Sequence, residues 1–168
     1  KTTQVWFHSV FGIITSISVV VLVGIVLEVM SLYYLHLFLL LIFYVWAIWL
    51  AGRQVFFSTV VDYNRFVGAI CIYLLMGVIW AMMYLFIAQF IPGSFNGIDQ
   101  QIWYDNFSDV AYYSFVTLTT LGYGDITPVA PIARFLVYME AVVGVFYMAI
   151  LVASLVGVGV SESQNKSH

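Results

Sequence analysis

The chain has 168 residues, 64% of them hydrophobic and 8% charged, and a net charge of −3. About a quarter of the residues in an ordinary soluble domain are charged, so a mean hydropathy of +1.05 excludes that class and points to the membrane. The weakly acidic balance and the lack of a basic cluster argue against nucleic acid, and the single cysteine, Cys71, excludes an intrachain disulfide or a thiolate metal cluster. Cys71 reads as a small buried apolar residue.

The first apolar run, 5–29, with Glu28 near its far end, is long enough to cross a bilayer as a helix. Its apolar core is too long for a signal peptide, and no small-residue cleavage site follows. A very short turn at Met30, Ser31 and Leu32 leads into a second run, 33–51, whose Trp46 and Trp49 suit an interfacial belt. Residues 1–51 therefore read as a tight antiparallel transmembrane hairpin. Its turn is too short for a pore loop, and neither helix has arginine at every third position, the pattern of a voltage-sensing helix.

Residues 52–65, with Arg53, Asp62 and Arg65, form a polar linker. It either connects two helices or lies along the membrane surface as a short amphipathic, regulatory helix. The third run, 66–91, spans the bilayer and stops at Pro92-Gly93; a polar loop, 93–105, follows with Asn96-Gly97 as its turn signal. Asn106 and Asp109 predict an N-cap and an approximate capping box for a helix over 107–118. Twelve residues do not cross a membrane, so this helix is re-entrant, which is tolerated only inside protein or beside a water-filled cavity. The negative end of its dipole then favours a cation near the membrane centre.

That helix runs into Thr117-Leu118-Thr119-Thr120-Leu121-Gly122-Tyr123-Gly124-Asp125. Two glycines flanking Tyr123 leave the backbone free to take left-handed dihedrals, so that successive carbonyls can point to one side. A ring of such carbonyls, repeated by symmetry, replaces the water shell of a cation, and a threonine at its foot adds a hydroxyl. In this context, over about 66–160, the segment Thr120-Leu121-Gly122-Tyr123-Gly124-Asp125 resembles the selectivity filter of potassium channels, with Leu121 where that family most often has Val or Ile.

The resemblance implies potassium ions in a filter at 120–124, held by the backbone carbonyls of Thr120, Leu121, Gly122 and Tyr123 and by the Thr120 hydroxyl. Thr119, Gly124 and Asp125 support it. Tyr123 points away from the pore axis, and by position Tyr113, with Tyr112 beside it, is an aromatic hydrogen-bonding partner; the plainer reading is that these tyrosines only pack. Asp125 resembles the family's acid behind the outer mouth. The pore-helix position that carries a partnering Glu in some members is Val116 here, so a tight carboxyl pair is not expected behind this filter.

After extended backbone at 126–131 the fourth run, 132–158, crosses again and ends in a polar tail, 161–168. Gly144, twenty residues beyond Gly124, matches the family's inner-helix hinge; it serves either bending or close packing, and Gly157 and Gly159 offer further sites. The same alignment puts Met148, Val152, Val156 and Val160 on the inner cavity as a gate that closes by dewetting. The alternative for each is a lipid- or core-facing position. Glu140, an acid inside an apolar helix, is either a modulatory site or a protonated or hydrogen-bonded carboxyl packed behind the pore helix. His8 and His36 sit singly, and no cluster of His, Asp or Glu has catalytic or metal-site spacing, so no enzyme is expected.

With the filter opening outward, both termini and the linker are cytoplasmic. Lys1, Arg53, Arg65 and Lys166 then lie inside against Arg134 outside, as the positive-inside rule prefers. Asn106-Phe107-Ser108 and Asn165-Lys166-Ser167 match glycosylation acceptors only formally. The expected protein is an all-α, multi-pass protein of the plasma membrane, with four spanning helices and one re-entrant pore loop. A single filter strand cannot surround an ion, so four copies assemble on a four-fold axis, with lipid around them and a cytoplasmic regulatory domain as a candidate partner outside this chain. The implied function is passive, potassium-selective conduction without strong voltage sensing. The alternative is a non-selective cation channel or a regulatory channel-like subunit. A potassium transporter subunit would carry four filter loops, each usually with one glycine, where this chain has one loop with both Gly122 and Gly124.

Overall fold

The computed structural model describes residues 30–57, 63–98 and 105–165, with Gly12, Ser16, Val19 and Val23 as isolated helical positions. The first expected span, 5–29, its hairpin with the second, and the end of the tail lie outside the described residues. The elements are α1 (Met30–Phe57), α2 (Tyr63–Phe90), β1 (Phe95–Asn96), α3 (Phe107–Leu118), β2 (Thr127–Pro128) and α4 (Pro131–Asn165). Among the described residues, three stretches are long and apolar enough to cross a membrane: Tyr34–Arg53, Val67–Phe90 and Pro131–Ser154, at mean hydropathies of 2.1, 2.4 and 2.2. The fold is all-α and membrane-spanning.

The helices are longer than the apolar runs that announce them. α1 continues past 51 to Phe57 and α2 opens at Tyr63, so the expected linker 52–65 is helical at both ends, and 58–62 lie outside the described residues. Arg53 stays on α1, its guanidinium over the Trp49 ring at 4.9 Å. α4 starts at Pro131, where the missing N–H is not needed, and runs to Asn165 through most of the expected tail. Hydropathy marks where a helix meets water, whereas the backbone ladder continues until a breaker. Such a breaker follows Phe90, where Ile91 precedes Pro92 and Gly93 takes φ 75°.

The chain divides into two units, Lys1–Ala47 and Ile48–His168. In the first, Leu37 and His36 are buried, and Phe43 meets Tyr44 edge-on at 5.6 Å. In the second, α3 packs against both α2 and α4. Gly77 on α2 makes room for the Phe115 ring of α3, since a Cβ there would lie 2.5 Å from Phe115 Cε1. Above it Tyr84, Phe95 and Tyr113 pack their rings at 5.4–5.8 Å. Lower down, Val55, Ala69 and Ile72 form a cluster with Tyr147 and Leu151 of α4, and the Tyr147 hydroxyl donates to Ala69 O at 2.6 Å. Cys71, expected to be buried, is exposed on α2; a spanning helix turns an apolar side outward, so small apolar character does not imply burial.

The loop after α2 is tied to the segment that precedes α4. β1 and β2 pair antiparallel, Phe95 with Pro128 and Asn96 with Thr127. Ser94 O accepts from Val129 N at 2.8 Å and Ala130 N at 3.2 Å. Gly97, at φ 85°, lies so close to Asp125 that a Cβ would sit 2.5 Å from its carbonyl oxygen.

Candidate functional site

α3 covers the expected span, 107–118. Asn106 stands at its N-cap position, but its side chain makes no capping hydrogen bond, so the expected capping box does not form. Val110 N donates to Asn106 O at 3.0 Å instead, and Asp109 in the first turn still suits the helix dipole. The C-terminal end tightens, with Thr120 N donating to Thr117 O at 2.9 Å and the Thr119 hydroxyl to Phe115 O at 2.7 Å. The Tyr73 hydroxyl of α2 donates to Leu118 O at 3.3 Å.

Beyond that end the backbone takes positive φ at every second residue: Thr120 at 60°, Gly122 at 58° and Gly124 at 82°. The glycines were expected to do this. Thr120 was not, because a β-branched residue rarely tolerates the left-handed region. Leu121 N and Gly122 N both donate to Val116 O, at 2.9 and 3.3 Å. The described peptides are all trans, and a trans peptide carries its C=O antiparallel to its N–H. The carbonyls of Thr120 and Leu121 are therefore both turned away from α3, to one side. Residues 119–125 are exposed in the single chain. Behind them lies a cavity of about 240 Å³, bounded by α3 and by Val137 and Ala141 of α4.

Asp125 is held by Tyr112, whose hydroxyl donates to its carboxylate at 2.7 Å, and by Ile126 N at 3.0 Å. The tyrosine bond holds the carboxyl below its ordinary pKa, and the same bond pushes the Tyr112 phenol up to about 12. The Tyr123 ring stacks on Tyr112 at 6.4 Å with planes 8° apart. Within the chain, then, Tyr112 stacks on Tyr123 and hydrogen-bonds Asp125. Tyr113 turns inward, hydrogen-bonded to Thr117 and packed on Tyr84 and Phe95.

α4 runs unbroken through Gly144. A Cβ there would collide with Leu118 O and lie 3.0 Å from Leu118 Cδ1, so this glycine lets α4 approach the end of α3. Met148 and Val152 are exposed in the single chain; the side chains of Val156 and Val160 lie outside the described residues. Glu140 is fully buried. Tyr84 of α2 donates to its Oε2, and Ser114 Oγ of α3 lies 2.5 Å from its Oε1 and 2.7 Å from Gly77 O. It is hydrogen-bonded and packed against α2 and α3, in line with the second of the two expected readings. Tyr73, Tyr84, Ser114 and the Val116 carbonyl were not singled out in the sequence. Each looks like an ordinary apolar-helix residue until the helices are brought together.

A family profile described as ion channel matches residues 68–160. The inward rectifier potassium channel Kirbac3.1 of Paramagnetospirillum magnetotacticum is 32% identical over 85 residues, which cover 51% of this chain and only 26% of that protein. No solved structure gives a significant match.

Proposed function

We propose that this chain, which belongs to the ion channel family, conducts potassium ions passively and selectively through a pore built from four copies of itself. The reading rests above all on Val116 O, which takes the amides of Leu121 and Gly122 and so leaves the carbonyls of Thr120 and Leu121 facing one way. Left-handed φ at residues 120, 122 and 124 lets the same orientation repeat along the strand. Four such strands would offer rings of oxygens from Thr120, Leu121, Gly122 and Tyr123, and a Thr120 hydroxyl ring, in place of the ion's water. The dipole of α3 adds negative potential at its C-terminal end. Kirbac3.1 is a potassium channel by name, and its similarity to this chain supports potassium as the ion.

In this reading the pore stands in the plasma membrane, surrounded by lipid, with both termini cytoplasmic. Met148, Val152, Val156 and Val160 line an inner cavity that closes by dewetting. The test is flux from liposomes holding the purified chain, under a potassium gradient and then a sodium gradient. Potassium flux without sodium flux is expected, blocked by barium and abolished in Gly122→Asp, which puts a carboxylate on a backbone at φ 58°. Equal fluxes would overturn selectivity. Absence of flux in both salts would overturn conduction by this chain alone.

A further inference from the structure

Behind the filter, five oxygens from three helices meet in three close contacts. Tyr84 O–H reaches Glu140 Oε2, Ser114 Oγ lies 2.5 Å from Glu140 Oε1, and Ser114 Oγ lies 2.7 Å from Gly77 O. Each contact needs one proton between its oxygens. Tyr84 and Ser114 bring one hydroxyl proton each, and a backbone carbonyl brings none. Two protons cannot fill three contacts. With an ionised Glu140, either Ser114 and Oε1 or Ser114 and Gly77 O would press lone pair against lone pair at hydrogen-bonding distance.

We propose that Glu140 is a proton-binding site, a neutral carboxylic acid whose Oε1–H donates to Ser114 Oγ while Ser114 donates to Gly77 O and Tyr84 to Oε2. Glu140 and Ser114 are fully buried, as is Tyr84, and a charge at that depth of a spanning helix is unfavourable without a partner. The titratable groups around it are phenols, Tyr84 on α2, Tyr113 on α3 and, farther off, Tyr73 on α2. None of them supplies a positive charge. The proton therefore completes a tie between α2, α3 and α4.

That tie makes Glu140 a positioning residue. Ser114 stands two residues before Val116, whose carbonyl holds the amides of Leu121 and Gly122. Fixing α3 at Ser114 fixes the oxygen from which the filter hangs. The proton count stands independently of the conduction reading; the positioning role rests on it.

The test is infrared difference spectroscopy on the full chain in lipid at neutral pH, wild type against Glu140→Gln. The expected result is loss of an undissociated carboxylic-acid carbonyl band in the variant. Loss of carboxylate bands instead would overturn the proposal, and this arm needs no flux at all. The second arm compares potassium flux. Glutamine supplies the third proton through its amide and accepts from Tyr84, so Glu140→Gln is expected to retain flux within about twofold, whereas Glu140→Ala leaves buried hydroxyls unpaired and loses about tenfold or more. Equal losses in the two variants would overturn the positioning role.

Discussion

Gly144→Ala separates contact from bending at the inner helix. The added Cβ would overlap Leu118 O and approach Leu118 Cδ1 to 3.0 Å and the Leu118 carbonyl carbon to 3.1 Å. Leu118 Cδ1 can rotate away, but the carbonyl is backbone, fixed at the last residue of α3, and accepts from the Tyr73 hydroxyl. Overpacking of this kind costs about 1–3 kcal/mol, while replacing a helical glycine by alanine returns up to about 1 kcal/mol. Because the obstacle is backbone, the net effect belongs at the unfavourable end, a loss of about 1–2 kcal/mol or a five- to thirty-fold drop in the folded-to-unfolded ratio. Gly157→Ala is the control, since nothing lies within 4 Å of a Cβ there; it should be neutral or stabilising. The assay is denaturant unfolding of both purified variants in one detergent, followed by potassium flux. A Gly144→Ala protein as stable as the Gly157→Ala control, with unchanged flux, would refute the contact argument.

Two further outcomes follow from the filter and its mouth. Asp125 has a depressed pKa, so its bond to Tyr112 contributes fully above the ordinary carboxyl value of 3.8 and is lost only as pH falls through the lower folded value. Tyr112 has a raised one, so on the alkaline side the bond persists until pH rises through about 12. Tyr112→Phe should therefore move the acid limb of potassium flux upward toward 3.8, and superimposable acid limbs would sink this account. Thr120→Gly removes a β-branched residue from φ 60° and should stabilise the fold by about 1–2 kcal/mol while weakening barium block through loss of the hydroxyl; a variant that gains no stability would show that Thr120 is not strained.

Local chemistry was legible in the sequence where a residue acts through its own backbone. The glycines at 122 and 124 announce left-handed positions, and the short helix at 107–118 was placed to the residue. Tertiary partners were not legible. Glu140 is an isolated acid on paper, and its partners Tyr84 and Ser114 stand 56 and 26 positions away on other helices. No period of 3.6 points from one helix to another, so an apolar helix does not disclose which of its polar residues will meet. Tyr112 and Tyr113 show the limit at its finest. Adjacent on a helix, they face about 100° apart, and that rotation sends one to Asp125 and the other into the core with Tyr84. Helix ends were not legible either, because hydropathy records the solvent boundary and α1 and α4 carry polar residues in unbroken helix beyond it.

The Val116 carbonyl has a consequence in time as well as in space. An oxygen offers two lone pairs, and two amides approach this one unequally: Leu121 N at 2.9 Å and Gly122 N at 3.3 Å. The Leu121 amide is the better bonded of the two. Of the two peptide planes that hang from Val116, the one between Leu121 and Gly122 is thus the more weakly anchored, and it ends in a glycine that has no side chain to resist rotation. In the proposed filter that plane would be the freer to turn, carrying the Leu121 oxygen out of line while the Thr120 oxygen keeps its place. Interruptions of the current would then have their shortest clock in a single peptide, far faster than any motion of a whole helix.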